Sequence, residues 1–267
     1  MMSLKSTLGA AALSATTLLV PMPIQAQDGA YIEPPANGQV IATFYYSNSE
    51  SGFDADGDRV DIPDYRKLEL YVLAEYTVTD EVTLVFTPSV RDIAVEGPDN
   101  DASGLGYTDL GLRYRFAETQ NSSLAIQATA RIPGEGRVDL RAQVVSTDPE
   151  YDFRLRGFHG FTLDGDSGFL DLQGSYRFRA GAPPNEFHTD VTIGYRPVPS
   201  LLLMAQSFNT ISDGRGDLQS YRFHNVQLSA VKQIANGVSL QLGWISTVAG
   251  KNALRERGAF GGVWISF

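Results

Sequence analysis

The feature that most limits what this chain can fold into is a period of two. In 107–116 (YTDLGLRYRF), Leu110, Leu112, Tyr114 and Phe116 share one face, and Asp109, Gly111, Arg113 and Arg115 share the other. That is the alternation of a strand whose two faces meet two different environments. Residues 123–132 repeat it, with Leu124, Ile126, Ala128, Ala130 and Ile132 set against Ser123, Gln127, Thr129 and Arg131. Residues 168–179 do so again, with Leu170, Leu172, Tyr176 and Phe178 against Asp171, Gln173, Ser175, Arg177 and Arg179. The pattern predicts twelve strands: Gln39–Tyr46, Tyr65–Thr77, Val82–Val90, Gly106–Phe116, Ser123–Ile132, Tyr151–Thr162, Gly168–Arg179, Glu186–Arg196, Leu201–Asn209, Asp217–Lys232, Val238–Val248 and Gly258–Phe267. Within Asp217–Lys232 the apolar phase slips between Phe223 and Val226, which predicts a bulge or a later start.

The connections alternate too. Val78–Glu81, Ala117–Ser122, Leu163–Ser167, Pro197–Ser200 and Gln233–Gly237 are four to six residues long. Ser47–Asp64, Arg91–Leu105, Pro133–Glu150, Thr210–Gly216 and Ala249–Arg257 run from seven to eighteen, and Ala180–Asn185 is the short exception. Tight turns at one end and long loops at the other mark an up-and-down transmembrane barrel, whereas the Greek-key links of a sandwich have no reason to alternate.

The first residues read as an export signal over 1–26: Lys5, then the apolar run 8–20 (LGAAALSATTLLV), then Ala26 as a small residue for cleavage, with Ile24 departing from the usual small residue. The run is shorter than the ~20 residues of a spanning helix. An N-terminal extension over 27–38 and a barrel over 39–267 follow. Zero cysteine excludes a disulfide scaffold, a thiolate metal site and a Cys nucleophile. A formal charge of −10 argues against nucleic acid.

Alternation alone does not say which face is inside. Three observations favour apolar outside and polar inside. Twelve strands enclose more space than the ~8 whose side chains fill a barrel. The polar rows carry charges of both signs, including Lys67, Glu69, Glu75, Arg113, Arg115, Arg131, Arg154, Arg156, Asp171, Arg177, Arg179, Asp190 and Arg196. Aromatics gather near strand ends, as in interfacial girdles: Tyr45, Tyr46, Tyr65, Tyr76, Tyr107, Phe116, Phe178, Tyr195, Phe208, Trp264 and Phe267. The expected fold is all-β, a single up-and-down antiparallel transmembrane β-barrel of about twelve strands.

Two resemblances follow. The final segment AFGGVWISF, alternating Val263, Ile265 and Phe267 and closing on an aromatic, resembles the assembly signal of bacterial outer-membrane proteins. The segments YRKLELYVLAEYTVTDEVTLVFTPSV and GLGYTDLGLRYRF, with Gly104, Gly106, Gly111, Tyr114, Arg115 and Phe116, resemble the outer-membrane proteins named for the meta-pathway of phenol degradation. That resemblance implies a Gram-negative outer-membrane uptake barrel for small, hydrophobic or aromatic molecules. It carries over no binding residue. The implied partners are outer-membrane lipid, the barrel-assembly machinery and an unidentified solute; no cofactor is implied.

The candidate lumen residues are Glu69, Glu75, Arg113, Arg115, Arg131, Arg154, Arg156, Asp171, Arg177, Arg179, His188, Asp190 and Arg196. Glu186, His188 and Asp190 share one face and invite pairing with Arg177, Arg179 and Arg196. Arg154 and Arg156 beside Arg177 and Arg179 form either a basic ladder for anions or part of an internal salt-bridge network. Asp54, Asp56 and Asp58 crowd one loop at a spacing that could wrap Ca²⁺, but Arg59 stands where an EF-hand needs glycine and no Glu closes the loop. His159 and His224 have no nucleophile motif near them, so no catalytic residue is assigned. The leading expectation is a channel or transporter. A closed barrel acting through its loops, or an outer-membrane hydrolase, are the other classes.

Overall fold

The computed structural model describes residues 37–97, 102–134, 149–163, 166–181, 183–216 and 218–267. The expected export signal, most of the N-terminal extension, and most of the Pro133–Glu150 connection lie outside the described residues.

One antiparallel sheet accounts for the fold. In chain order its strands are β1 (Gly38–Phe53), β2 (Arg59–Thr77), β3 (Val82–Thr87), β4 (Ser89–Val95), β5 (Ala102–Leu105), β6 (Thr108–Glu118), β7 (Ser122–Ile132), β8 (Glu150–Leu163), β9 (Asp166–Arg179), β10 (Glu186–Val198), β11 (Leu201–Ser212), β12 (Tyr221–Ala235), β13 (Val238–Lys251), β14 (Ala253–Leu254) and β15 (Arg257–Ser266). Three staves are each made of two strands: β3 with β4, β5 with β6, and β14 with β15. The fifteen strands therefore form the twelve staves read from the sequence.

The ring closes because β1 pairs on both sides, with β2 and with β15. At the tight-turn end the seam is finished reciprocally: the Gly38 N–H donates to the Phe267 carbonyl at 2.8 Å, and the Phe267 N–H to the Gly38 carbonyl at 3.0 Å. In lipid an unpaired backbone group costs several kcal/mol, so a sheet without an edge is the only spanning sheet.

The apolar rows face outward. Leu70, Leu84, Phe86, Leu110, Leu112, Leu155, Leu172, Ile193 and Leu228 are all exposed on the outer wall, and Leu242 is 73% exposed. The arginine-bearing rows face inward: Arg113 and Arg156 have no exposed surface. In lipid, an exposed leucine outside is the stable arrangement.

Several sequence expectations need correction. Ser47–Asp64 is not a long loop. β1 and β2 remain paired to Phe53 and Arg59, leaving a turn of five residues, Asp54–Asp58. At 16 and 19 residues, β1 and β2 exceed the ~9–11 that cross a bilayer, so their hairpin projects beyond it. Arg91–Leu105 is likewise largely paired strand, β4 with β5. The stave predicted as Val82–Val90 breaks at Pro88, which has no N–H to donate; its carbonyl accepts from Val72 at 3.0 Å. The tenth stave takes the later start, at Tyr221, and the bulge beside its phase slip belongs to the neighbouring strand. The extra residue is Val248 of β13, opposite the His224–Asn225 step. Tyr221 and Phe223 simply turn inward, where their rings stack 6.5 Å apart.

The seam also tolerates little bulk at one place. A Cβ on Gly258 would lie 2.0 Å from the Tyr46 carbonyl oxygen, whereas one on Gly261 would meet nothing closer than 3.4 Å. Gly258→Val should therefore abolish the compact, SDS-resistant form on unheated gels, and Gly261→Ala should keep it; equal behaviour of the two variants would refute this account of closure.

Candidate pore interior

The inward-facing side chains divide into two walls. The charged wall covers seven consecutive staves, β2 to β10. The other wall covers β11, β12, β13, β14/β15 and β1. On those strands the charged side chains Glu50, Arg222, Lys232, Lys251 and Arg257 stand on the outer rows, while the inner rows carry Gln39, Thr43, Ser47, Gln206, Thr210, Asn225, Gln227, Ser229, Gln241 and Thr247. Among the described residues, no charged side chain within these strands faces in.

On the charged wall, cation and anion alternate across neighbouring staves. Arg131 holds Asp109 with two nitrogens at 2.8 and 2.9 Å. Arg179 donates to Glu150 at 2.7 Å and to Glu186 at 3.2 Å. Arg177 donates to Glu186 at 2.9 Å, and Arg154 reaches Asp190, two staves away, at 2.7 Å. Glu186 also meets His188 at 3.0 Å and accepts from the Tyr221 hydroxyl. The belt extends to the first staves through Arg91 and Glu69 at 2.5 Å, and through Lys67 and Glu256 at 2.9 Å. Arg131 and Arg91 lie over the Tyr107 ring, with guanidinium carbons 5.0 and 5.6 Å from its centroid, so an aromatic ring bridges two cations. Deeper, Arg113 binds Glu75 and, at 3.1 Å, Gln127. Pairs that span an intervening stave are possible only on the concave side, where side chains converge.

The expected lumen residues are distributed unevenly. Glu69, Glu75, Arg113, Arg131, Arg154, Arg177, Arg179, His188 and Asp190 join the networks just described. Arg156 and Asp171 are fully buried on the same wall, and the Asp171 carboxylate accepts from Gln173 at 2.5 Å. Arg115 instead sits at the tight-turn rim, held by Glu118 and the Asp80 carbonyl. Arg196 is half-buried near the same rim, toward the far end of β10 from Glu186, His188 and Asp190. The arginines of β8 and β9 do not form a bare basic ladder: Glu150 and Asp152 interleave with them. Arg91, Glu150 and Glu256 were hidden by the expectation that they lay in loops. For Arg91 the parity of β3, continued past Pro88, is the signal that would have found it.

Asp54 closes the turn of the β1–β2 hairpin with its own carboxylate. Its Oδ1 accepts from the backbone N–H groups of Asp56 at 2.9 Å, Gly57 at 3.0 Å and Asp58 at 2.9 Å. The N–H of Asp56, then that of Asp58, hold its carboxyl below the usual carboxylate range.

The interior is not uniformly polar either. Ile41, Leu73, Val85, Phe169, Leu202, Met204, Val231 and Trp264 form one buried apolar cluster, with Tyr71 and Phe158 against it. All stand within a few residues of the tight-turn end. Register explains the collar: Ile41 is paired with both Leu73 and Trp264, and Leu202 with Val231. Gln241 fills the gap between Val231 and Trp264, accepting from Trp264 Nε1 at 2.9 Å. Glycines set how the rings lie. A Cβ on Gly194 would stand 2.1 Å from the Phe169 ring, and one on Gly243 2.3 Å from the Phe260 ring. Each ring therefore lies flat over a glycine on the adjacent stave. This also corrects the girdle expectation: Tyr46, Tyr76, Phe116, Phe178 and Phe267 face out, but Tyr45, Tyr65, Tyr107, Phe208 and Trp264 turn inward.

A family model described as the MetA-pathway of phenol degradation matches residues 24–264. The chain belongs to this family. Among solved structures, this phenol-degradation family barrel is similar to an outer-membrane channel from Pseudomonas putida F1, with 16% identity, a TM-score of 0.70, and coverage of 91% of this chain and all of that one. It is also similar to the NanC porin, at 8% identity, a TM-score of 0.55, and coverage of 85% and 98%. No match was found among curated proteins. At these identities the structural likeness establishes the outer-membrane-type barrel fold.

Removing one buried partner leaves the other charge uncompensated, a cost of about 3–5 kcal/mol. Glu186→Gln keeps the shape but strips the charge that faces Arg177 and Arg179. Urea unfolding of the refolded barrel in detergent should show destabilisation of that order, and a change below about 1 kcal/mol would mean the belt is already solvated.

Proposed function

We propose that this barrel resides in the outer membrane and carries small molecules through its interior, from the loop end to the tight-turn end. The observation that carries the reading is the division of the interior. One wall is a self-neutralised set of ion pairs, and the other is an uncharged surface of amides, hydroxyls and flattened aromatic rings that runs the length of five staves. A wall without charge gives a small polar or aromatic molecule hydrogen bonds and ring contacts without competing against an ion pair. The charged wall, Glu69, Glu75, Arg113, Arg131, Arg154, Arg156, Asp171, Arg177, Arg179, His188 and Asp190, holds the interior open in one shape. The family description, phenol degradation, and the channel similar in fold support this reading. A small aromatic compound with a hydroxyl suits the neutral wall.

The apolar collar favours a second reading, a closed barrel that works only through its loops, because Ile41, Leu73, Leu202 and Val231 have no exposed surface.

Vesicles containing the refolded barrel decide between the two. Transport predicts swelling in neutral sugars faster than in protein-free vesicles, and slower swelling in Gly243→Val, whose side chain would drive the Phe260 ring off the neutral wall. Swelling no faster than protein-free vesicles would leave only the loop reading.

A further inference from the structure

We propose that the apolar collar sorts solutes by charge, admitting uncharged molecules and turning ions back, with Ile41, Leu73, Leu202, Val231 and Trp264 setting this selectivity. The inference rests on the transport reading and adds to it the class of solute and the residues that choose it.

The collar stands at the tight-turn end of the interior, which a route from the loop end has to pass. Four of these five side chains have no exposed surface and Trp264 only 2%. They come from β1, β2, β11, β12 and β15, so the layer is not one greasy strand but a contact among separate staves. A constriction lined this way is unfavourable to water, and an apolar constriction stops ions by dewetting. An ion entering it exchanges its hydration shell for methyl groups and an indole face, at a cost of several kcal/mol. An uncharged molecule has far less hydration to lose.

The belt above gives an ion no compensation at that step. Its guanidinium groups and carboxylates already hold one another, from Lys67 with Glu256 on one side to Arg177 with Glu186 on the other. Near the collar, Arg113 is paired with Glu75, and the Asp171 carboxylate accepts from the Gln173 amide. An uncharged solute, by contrast, meets groups that lead it to the collar. Gln206, Gln227 and Gln241 stand on the neutral wall, and the Gln241 amide borders Trp264 and Val231 directly. The collar's own polar contact, the Trp264 indole N–H on Gln241, is of the kind a hydroxyl can replace at little cost.

The experiment compares three solutes of similar size and different charge, glucose, gluconate and glucosamine, for uptake into vesicles carrying the whole barrel, together with potassium chloride conductance in planar bilayers. The expected result is glucose entry at least about tenfold faster than either charged sugar, with little salt current. Leu202→Ser combined with Val231→Ser should raise the salt current at least about tenfold and remove the preference, while Leu202→Met with Val231→Ile keeps both. Equal entry of all three sugars through the unaltered barrel overturns the inference and leaves transport standing. Entry of none, in the unaltered barrel and the serine variant alike, overturns transport itself. Should the serine variant fail to fold, the comparison of the three sugars alone decides.

Discussion

A continuous ring of backbone hydrogen bonds is the constraint on which the rest of this molecule depends. A sheet in lipid has no water to satisfy an open edge. The first and last strands must therefore meet, and they do so through Gly38 and Phe267, each carbonyl accepting the other's N–H. Closure in turn fixes the parity of every stave. Once the ring exists, odd-numbered residues of β1 and β2 have only the interior to face, and a change of one residue in register would bring leucines in and arginines out.

What the interior does with its charges follows from that enclosure. An arginine deprived of water must find carboxylates, and the two-residue spacing supplies them at regular intervals on adjacent staves. Glu186 shows how densely this is done. It takes Arg177 and Arg179 from β9, His188 from its own strand and the Tyr221 hydroxyl from β12, two staves away. The ionic wall is thus a structural skin more than a row of free binding groups. The opposite wall, with nothing to neutralise, is left to glutamines, serines and aromatic rings.

The number of staves and the facing of each were legible in the sequence because both follow from local periodicity. The extent of the strands was less so. Ser47–Asp64 is rich in glycine, serine and aspartate and reads as a loop, yet its hairpin is paired right up to a turn of five residues, with Asp54 capping the turn through three backbone N–H groups. Periodicity also says which side of a strand a residue occupies, but not which residues converge there. Ile41 and Leu73 sit among polar positions in their own strands and look like isolated exceptions. They become a collar only when β11, β12 and β15 bring Leu202, Val231 and Trp264 to the same level. Trp264 and Tyr107 were read as girdle residues for the same reason: an aromatic near a strand end has the same sequence signature whether it points to lipid or lies against a guanidinium.

The division of the walls also bears on how the chain comes to be folded. The staves that hold the ion pairs are consecutive in sequence, and each gains its partner from a neighbouring hairpin. The neutral wall is made of the last strands and the first, so the junction that joins the first strand to the last lies inside it. Within the spanning strands, the final zippering of β15 onto β1 brings no charged side chain to the interior: the inward pairs are Gln39 with Ser266, Ile41 with Trp264, Thr43 with Gly262, Tyr45 with Phe260 and Ser47 with Gly258. Glu256, which reaches across the seam to Lys67 and Ser47, lies just beyond β15. A barrel built in this order never has to strip water from an unmatched charge at the moment of sealing, and its slowest, most non-local step is also its least polar one.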